Sequence, residues 1–273
     1  MELDTNGNIT KLFGVPISNQ TGVVLKGSIG YNNGVYLLND ICKSRYGNAS
    51  LGATARNLNI EDIESRMNSK GIATRNANKG YNNQSLQYGT TKKYTGSYTK
   101  YPAIYAQEKY SGVDVSDVTA GSQVITGEVD ATAQARMNPN GKSGSDDIYT
   151  TSPDTSETTG PSKTNLTCTQ TFYYFNTSSS YFDDSNFYSM IFGTGTYFWL
   201  ASRYVDCYSN NSFAYFGLRH VGDSSYLSGY DLFNSNGSSN SDSNRLASVV
   251  SLGSGVQIKS GSGTESDKYV IGK

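Results

Sequence analysis

The stretch Thr196–Val205, TYFWLASRYV, decides how this chain is read. It is a run of aromatic, β-branched and small residues that follows the glycines Gly193 and Gly195 and leads into a polar segment. That composition at that length predicts a core strand. TQTFYYF at 169–175 precedes it, and FAYFGLRHV at 213–221 and RLASVVSLGSGVQI at 245–258 follow. Gly, Ser, Asn and Asp separate these runs, which is turn chemistry. SNFYSMIFG at 185–193 reads as a helical turn between the first two.

Upstream the periodicity changes. In GYNNGVYLLNDICKSRYGN, residues 30–48, the positions Val35, Leu38, Ile41, Cys42 and Tyr46 fall on one helical face. Asn32 or Asn33 is the expected N-cap, Lys43 and Arg45 suit the C-terminal end of the dipole, and Gly47 stops the helix. A second helix is expected at IEDIESRMNSKG, capped by Asn59, with Ile60, Ile63 and Met67 as its apolar stripe and Gly71 at its end. Residues 1–29 read as an extended arm of short strands, with VVLKGSI the clearest. Residues 76–162 read as a loop-rich insertion, with one short helix expected at 131–137, and residues 259–273 as a tail. Helices first and strands last predicts an α+β fold, two helices packed on a twisted antiparallel sheet.

Composition narrows the function classes. The chain has 273 residues, 16% charged and 36% hydrophobic, with 22 Tyr and a net charge of −1. So few charges exclude the signature of a disordered polyelectrolyte. No basic stripe supplies the counterion release that drives nucleic-acid binding, so no nucleic-acid partner is expected. No run reaches the roughly 18 apolar residues of a membrane span. MELDTNGNIT has neither the charged nor the apolar region of a signal peptide; a native start at Met1 and a leader removed upstream both stay open. Cys42, Cys168 and Cys207 match no metal spacing, and one disulfide with a free thiol or three isolated thiols are both compatible with them.

Two helices, a long irregular middle and a sheet announced by Phe198-Trp199-Leu200-Ala201-Ser202 resemble the C-type-lectin-like fold, in the bacterial and phage branch related to formylglycine-generating enzymes. Tyr197–Arg203, Phe216–Val221 and Arg245–Leu252 carry the resemblance, which covers residues 30–258; Ala247 stands where that series has Pro. The resemblance implies a scaffold, with Trp199 in the core between helices and sheet; Arg203, Arg219 and Arg245 lie on or beside predicted strands, and at least one is expected to pair with a carboxylate or carbonyl and brace loops. It does not imply catalysis, because Cys207 follows the WLAS strand with no second cysteine nearby. The Glu-Pro-Asn and Trp-Asn-Asp triplets of calcium lectins are missing, so no metal or cofactor is expected.

The residues also argue against an enzyme. His220 is the one histidine and no Gly-x-Ser-x-Gly elbow accompanies it. His220 reads as a surface or contact residue, and the pairs Asp146-Asp147 and Asp183-Asp184 as solvated loop charge. Residues 204–244 stand out, since 29 of 41 are Tyr, Asp, Ser, Asn or Gly, the chemistry of antibody contact loops. Tyr204, Tyr208, Tyr215, Tyr226 and Tyr230 are the expected anchors of a binding face, with Asp206, Asn210, Asp223, Asn234 and Asn236 at its rim. This alphabet is similar to that of proteins diversified at adenines by retroelements. The expected function is a non-enzymatic ligand- or receptor-binding protein of a bacterial surface or phage virion, contacting a protein or glycan. A structural subunit of a filament, tail or surface layer, self-assembling through the N-terminal arm, is the alternative.

Overall fold

A computed structural model describes residues 1–16, 22–77, 84–88, 164–168, 174–193, 195–207, 214–222, 225–234, 240–264 and 266–273. In chain order the strands are β1 (Glu2–Leu3), β2 (Ile9–Gly14), β3 (Val23–Lys26), β4 (Thr54–Asn57), β5 (Gln84–Tyr88), β6 (Thr164–Cys168), β7 (Phe175–Asn176), β8 (Phe198–Cys207), β9 (Ala214–Val221), β10 (Tyr226–Asn234), β11 (Ser241–Asn244), β12 (Ser248–Ser251), β13 (Gln257–Ser260) and β14 (Val270–Gly272). The helices are α1 (Gly27–Tyr46), α2 (Ile60–Glu64), α3 (Ser69–Ala77) and α4 (Ser185–Phe192). The protein is α+β, and all its strand ladders among the described residues are antiparallel.

The central sheet has the order β7-β10-β9-β8. Alternation along β8 divides the interior in two. Trp199 and Ala201 join Val23, Leu25, Val35, Leu38, Cys42, Leu218, Leu232 and Leu246 in a core under α1. Phe198 and Leu200 join Ile60, Ile63, Met67, Phe175, Phe187, Phe192, Val221 and Leu227 in a second core on the opposite side. Trp199 is fully buried, as the sequence reading expects, and its indole N–H donates to the carbonyl of Val23 at 2.8 Å. A buried indole without that acceptor would lose a hydrogen bond to water with no return.

α1 begins at Gly27, not at an Asn32 or Asn33 cap. The GSI of VVLKGSI is therefore helical, because β3 ends at Lys26 and the chain turns at once into the helix that covers the sheet. Gly34 sits in mid-helix where a Cβ would lie 2.9 Å from Leu218 Cδ2 and 3.1 Å from Leu25 Cδ1, so the helix packs closely on these two leucines and a larger residue would require their side chains to shift. Val35, Leu38 and Cys42 are buried, whereas Tyr46 at the helix end is exposed. The Gly47 N–H closes the last turn on the carbonyl of Lys43 at 3.0 Å.

Asn59 caps α2 in a capping box with Asp62, each side chain accepting from the other's backbone N–H at 3.0 Å. Asp62 also takes a two-pronged ion pair from Arg56, both contacts 2.6 Å. The helix stops at Glu64, earlier than expected. Gly71 then lies inside α3, where a Cβ would come 2.4 Å from the carbonyl of Tyr181, so this glycine permits packing and does not end a helix.

Residues 1–29 are not a separate arm. β2 lies between β1 and β12 in the sheet β1-β2-β12-β4, pairing Phe13 with Val249 and Leu12 with Val250. Ile9 is buried and Phe13 meets Phe187 edge-to-face at 5.5 Å. This segment is part of the domain because its apolar residues complete the second core. At the other terminus, residues 257–272 form the hairpin β13–β14. Within the expected insertion, β5 pairs with β6, and α3 runs to residue 77; the helix expected at 131–137 lies outside the described residues.

Asn57 joins the two sheets. Its Nδ2 donates to the carbonyls of Trp199 at 2.8 Å and Leu58 at 3.1 Å, and its Oδ1 accepts from the Ala247 N–H at 3.0 Å. Replacing Asn57 with Ala removes the side-chain partner of the Trp199 carbonyl and of the Ala247 N–H, while the Leu58 carbonyl keeps the Ala201 N–H, so we expect a loss of about 2–3 kcal/mol in a denaturant titration. Trp199→Ala should cost about 3–5 kcal/mol in the same measurement.

Candidate functional site

The candidate contact residues divide by position. Asp206 of β8 is the register partner of Tyr215 of β9, and Tyr215 is the partner of Asn234 of β10. Three positions chosen from separate segments thus form one row across three strands, at the end of the sheet where β8 finishes and β9 begins. Tyr215 is half-buried there. Tyr208, Asn210, Asp223 and Asn236 lie outside the described residues.

The tyrosines do not gather at one exposed centre. Tyr204 is buried at 2% exposure, which corrects its assignment as a surface anchor. Its ring lies over Gly229 of β10, where a Cβ would come within 2.1 Å of it, and the Arg219 guanidinium stands 4.7 Å from its centroid. The physical reason is that Arg219 is itself fully buried and needs a polarisable face; Tyr204 supplies one, and glycine leaves the room. Arg219 is thus held in the sheet against an aromatic face. Arg245 is half-buried and joins β8 through its backbone, accepting from the Trp199 N–H at 2.9 Å and donating to the Tyr197 carbonyl at 3.2 Å. Arg203 pairs with Leu218 in the ladder, just past an irregularity that begins at Trp199.

Tyr226 is exposed, but it pairs with Asn176 at the start of β10, the end of that strand opposite Asn234. Tyr230 is half-buried against the core under α1. Burial first, then the charges of Asp242 and Asp231, raise its phenol pKa above the usual tyrosine value. Of the ten candidates, the row Asp206–Tyr215–Asn234 is what the described structure brings together.

Other side chains take structural roles. Asp184 caps α4, its Oδ1 accepting from the N–H groups of Asn186 at 2.9 Å and Phe187 at 3.0 Å, so this half of the acidic pair is a helix cap. Cys42 is a free thiol in the core, and burial pushes its pKa up to about 12, partly opposed by the charges of Arg45 and Arg56. Such a thiol is no nucleophile at neutral pH. Cys207 is the last residue of β8, not a turn residue. His220 is half-buried among Tyr197, Trp199 and Tyr230, correcting its reading as a surface group. Sequence reasoning missed Asn57 and the Tyr204–Arg219–Gly229 stack, because a lone Asn and a lone Gly carry no spacing signal. Among the described residues there is no group of three or more His, Cys, Asp and Glu poised for a metal ion, and no helix is long and apolar enough to cross a membrane.

No family model matches the chain, and no curated protein and no solved structure matches it. The class that the coordinates define is a mixed α+β protein with antiparallel sheets.

Two measurements separate structure from surface here. Tyr204→Ala should lower stability by about 3 kcal/mol, as for other buried aromatic truncations, while Tyr226→Ala should stay within about 0.5 kcal/mol of the parent. With Cys168 and Cys207 replaced by Ser, Cys42 should resist alkylation at pH 8 in the folded protein and react completely in denaturant.

Proposed function

We propose that this chain is a non-enzymatic recognition protein with a C-type-lectin-like scaffold, displayed on a bacterial surface or phage virion. Its contact surface is the end of the central sheet marked by Asp206, Tyr215 and Asn234, and its ligand is a protein or a glycan. The observation that carries this reading is the row itself. Positions 206, 215 and 234 carry contact-type side chains, and the ladder aligns them on adjacent strands. The segment 204–244 that holds them is rich in Tyr, Ser, Asn and Gly, residues that combine large contact area with adaptable hydrogen bonding.

The scaffold supports the same reading. Helix α1 lies on one side of a four-stranded antiparallel sheet, Trp199 is buried between them, Phe216–Val221 belongs to the strand beside β8, and Arg245–Leu252 leads from a bridge with Phe198 into β12 of the other sheet. A rigid two-sided core lets the strand ends vary while the sheet holds. Diversification of 204–244 at adenines fits this division of labour. Buried Leu218, Leu227 and Leu232 punctuate the segment and hold its strands, while polar residues fill the positions between.

The test has two arms. A screen of glycans and of purified surface proteins should yield a ligand whose affinity falls at least tenfold in the triple variant Asp206→Ala, Tyr215→Ala, Asn234→Ala, with the melting temperature unchanged. A ligand bound equally well by that variant would move the site elsewhere. In the source genome, a second copy of the 204–244 coding segment, differing only at adenines and lying beside a reverse-transcriptase gene, would establish diversification.

A further inference from the structure

His220 is the chain's single histidine, and it is placed where a charge is hard to hold. It lies on β9, in register with Trp199 of β8 and Ser228 of β10. Ring centroids of Tyr197, Trp199 and Tyr230 stand 5.9, 6.4 and 6.3 Å from the imidazole. Its Nδ1 is buried and has no hydrogen-bond partner among the described residues. Three rings could in principle stabilise an imidazolium through their faces. Trp199 and Tyr230, however, are tilted at 43° and 42° and lie beyond the ~6 Å over which that attraction is useful, which leaves only Tyr197 of the three, nearly perpendicular to the imidazole, within that range.

The surrounding charges do not compensate either. On β9, Arg219 is the next residue and carries a like charge, directed to the other face over Tyr204. On β10, Tyr230 and Asp231 titrate; on β11, Asp242 acts on the Tyr230 phenol. β8 and the residues before it contribute Trp199 and the phenol of Tyr197. From α1 the titratable member of this core is Cys42, and from β3 come the apolar Val23 and Leu25. Arg245, beside Trp199 through its backbone, is a second cation.

We propose that His220 is an acid-sensitive latch: as a neutral ring it closes the core beneath α1, and on protonation it drives β9 and its aromatic neighbours away from α1 and β3 while the second core stays packed. The division of the interior by the central sheet makes the opening local, because Phe198, Leu200 and Val221 hold the opposite face independently of the imidazole. Burial, followed by the Arg219 charge, lowers the imidazole pKa from 6.5 to about 4. A depressed basic pKa means that the open form takes its proton first. The closed form is therefore unaffected above about pH 6.5, loses ground as the pH falls towards about 4, and loses no more on this account below it. Across that window the proton favours the open form by on the order of a hundredfold.

Trp199 is the only tryptophan and is packed near His220, so its fluorescence reports this core alone. In the full chain, emission should shift reversibly to longer wavelength between pH 6.5 and 4, while far-ultraviolet circular dichroism stays near its neutral value. His220→Phe and His220→Gln should both remove that transition. Persistence of the same transition in the variants would assign it to carboxylates and overturn the proposal, as would the absence of any transition in the parent chain. Should both variants fail to fold, the imidazole itself decides. A single histidine gives a single ring resonance, and a midpoint at or above 6.5 in the parent chain would sink the latch.

Discussion

The structure hangs on a buried cross-link made by one amide. Asn57 is fully buried and uses both ends of its side chain on backbone groups of other segments: the Trp199 carbonyl, the Leu58 carbonyl and the Ala247 N–H. Its own N–H is taken by the side chain of Asn39 on α1 at 3.0 Å. Strands β4 and β8, from the two four-stranded sheets, meet here where the β4 ladder ends and beside an irregularity in the β8–β9 ladder, and buried backbone groups without partners are costly. The same place is reinforced by Leu58, which donates to Ala247 at 2.6 Å and accepts from Ala201 at 2.7 Å. The Ser202 hydroxyl accepts the Ile60 N–H at 2.9 Å and so satisfies a donor at the start of α2.

Around that junction the central sheet works as a partition. The core beneath α1 is closed by the Trp199 indole bonded to Val23, and it holds the imidazole of His220 at its edge. The second core joins α2, α4 and β12 and is dominated by phenylalanines, with the Phe182 ring 6.4 Å from that of Phe187 and 5.7 Å from that of Phe192. On the same side as the second core, farther along β8, polar chemistry returns as the Arg219–Tyr204 stack over Gly229. Stacking a guanidinium on a ring keeps the cation within the sheet, and the register row Asp206–Tyr215–Asn234 lies beyond it along the strands.

The N-terminal strands show how topology overrides local appearance. ITKLFG, residues 9–14, reads as a short extended piece, and its neighbours in sequence offer only the two-residue strand Glu2–Leu3 to cover one of its edges. Its partners lie about 240 residues later, at Ser248–Ser251. Arg66 extends the connection, lying 5.4 Å from the Phe13 ring and 5.2 Å from the Phe187 ring and pairing with Glu2. A segment with that much cross-chain packing is a component of the fold and not a detachable arm.

The sequence alone determined those features that follow from local rules. The apolar face Val35–Leu38–Cys42, the Asn59 cap with its acidic first turn, the strands at 198–207 and 214–221 and the burial of Trp199 are all matters of periodicity, capping or composition. Only the tertiary structure decided which tyrosines face outward. Tyr204 and Tyr215 belong to the same contact-type alphabet, yet one lies beneath a buried guanidinium and the other at the end of a ladder. That difference depends on register and on a glycine 25 residues away at position 229, and no local pattern encodes either. The role of Asn57 was hidden for the same reason: its amide becomes a junction only when two distant backbone groups, at Trp199 and Ala247, converge on it, and convergence is a property of the folded chain.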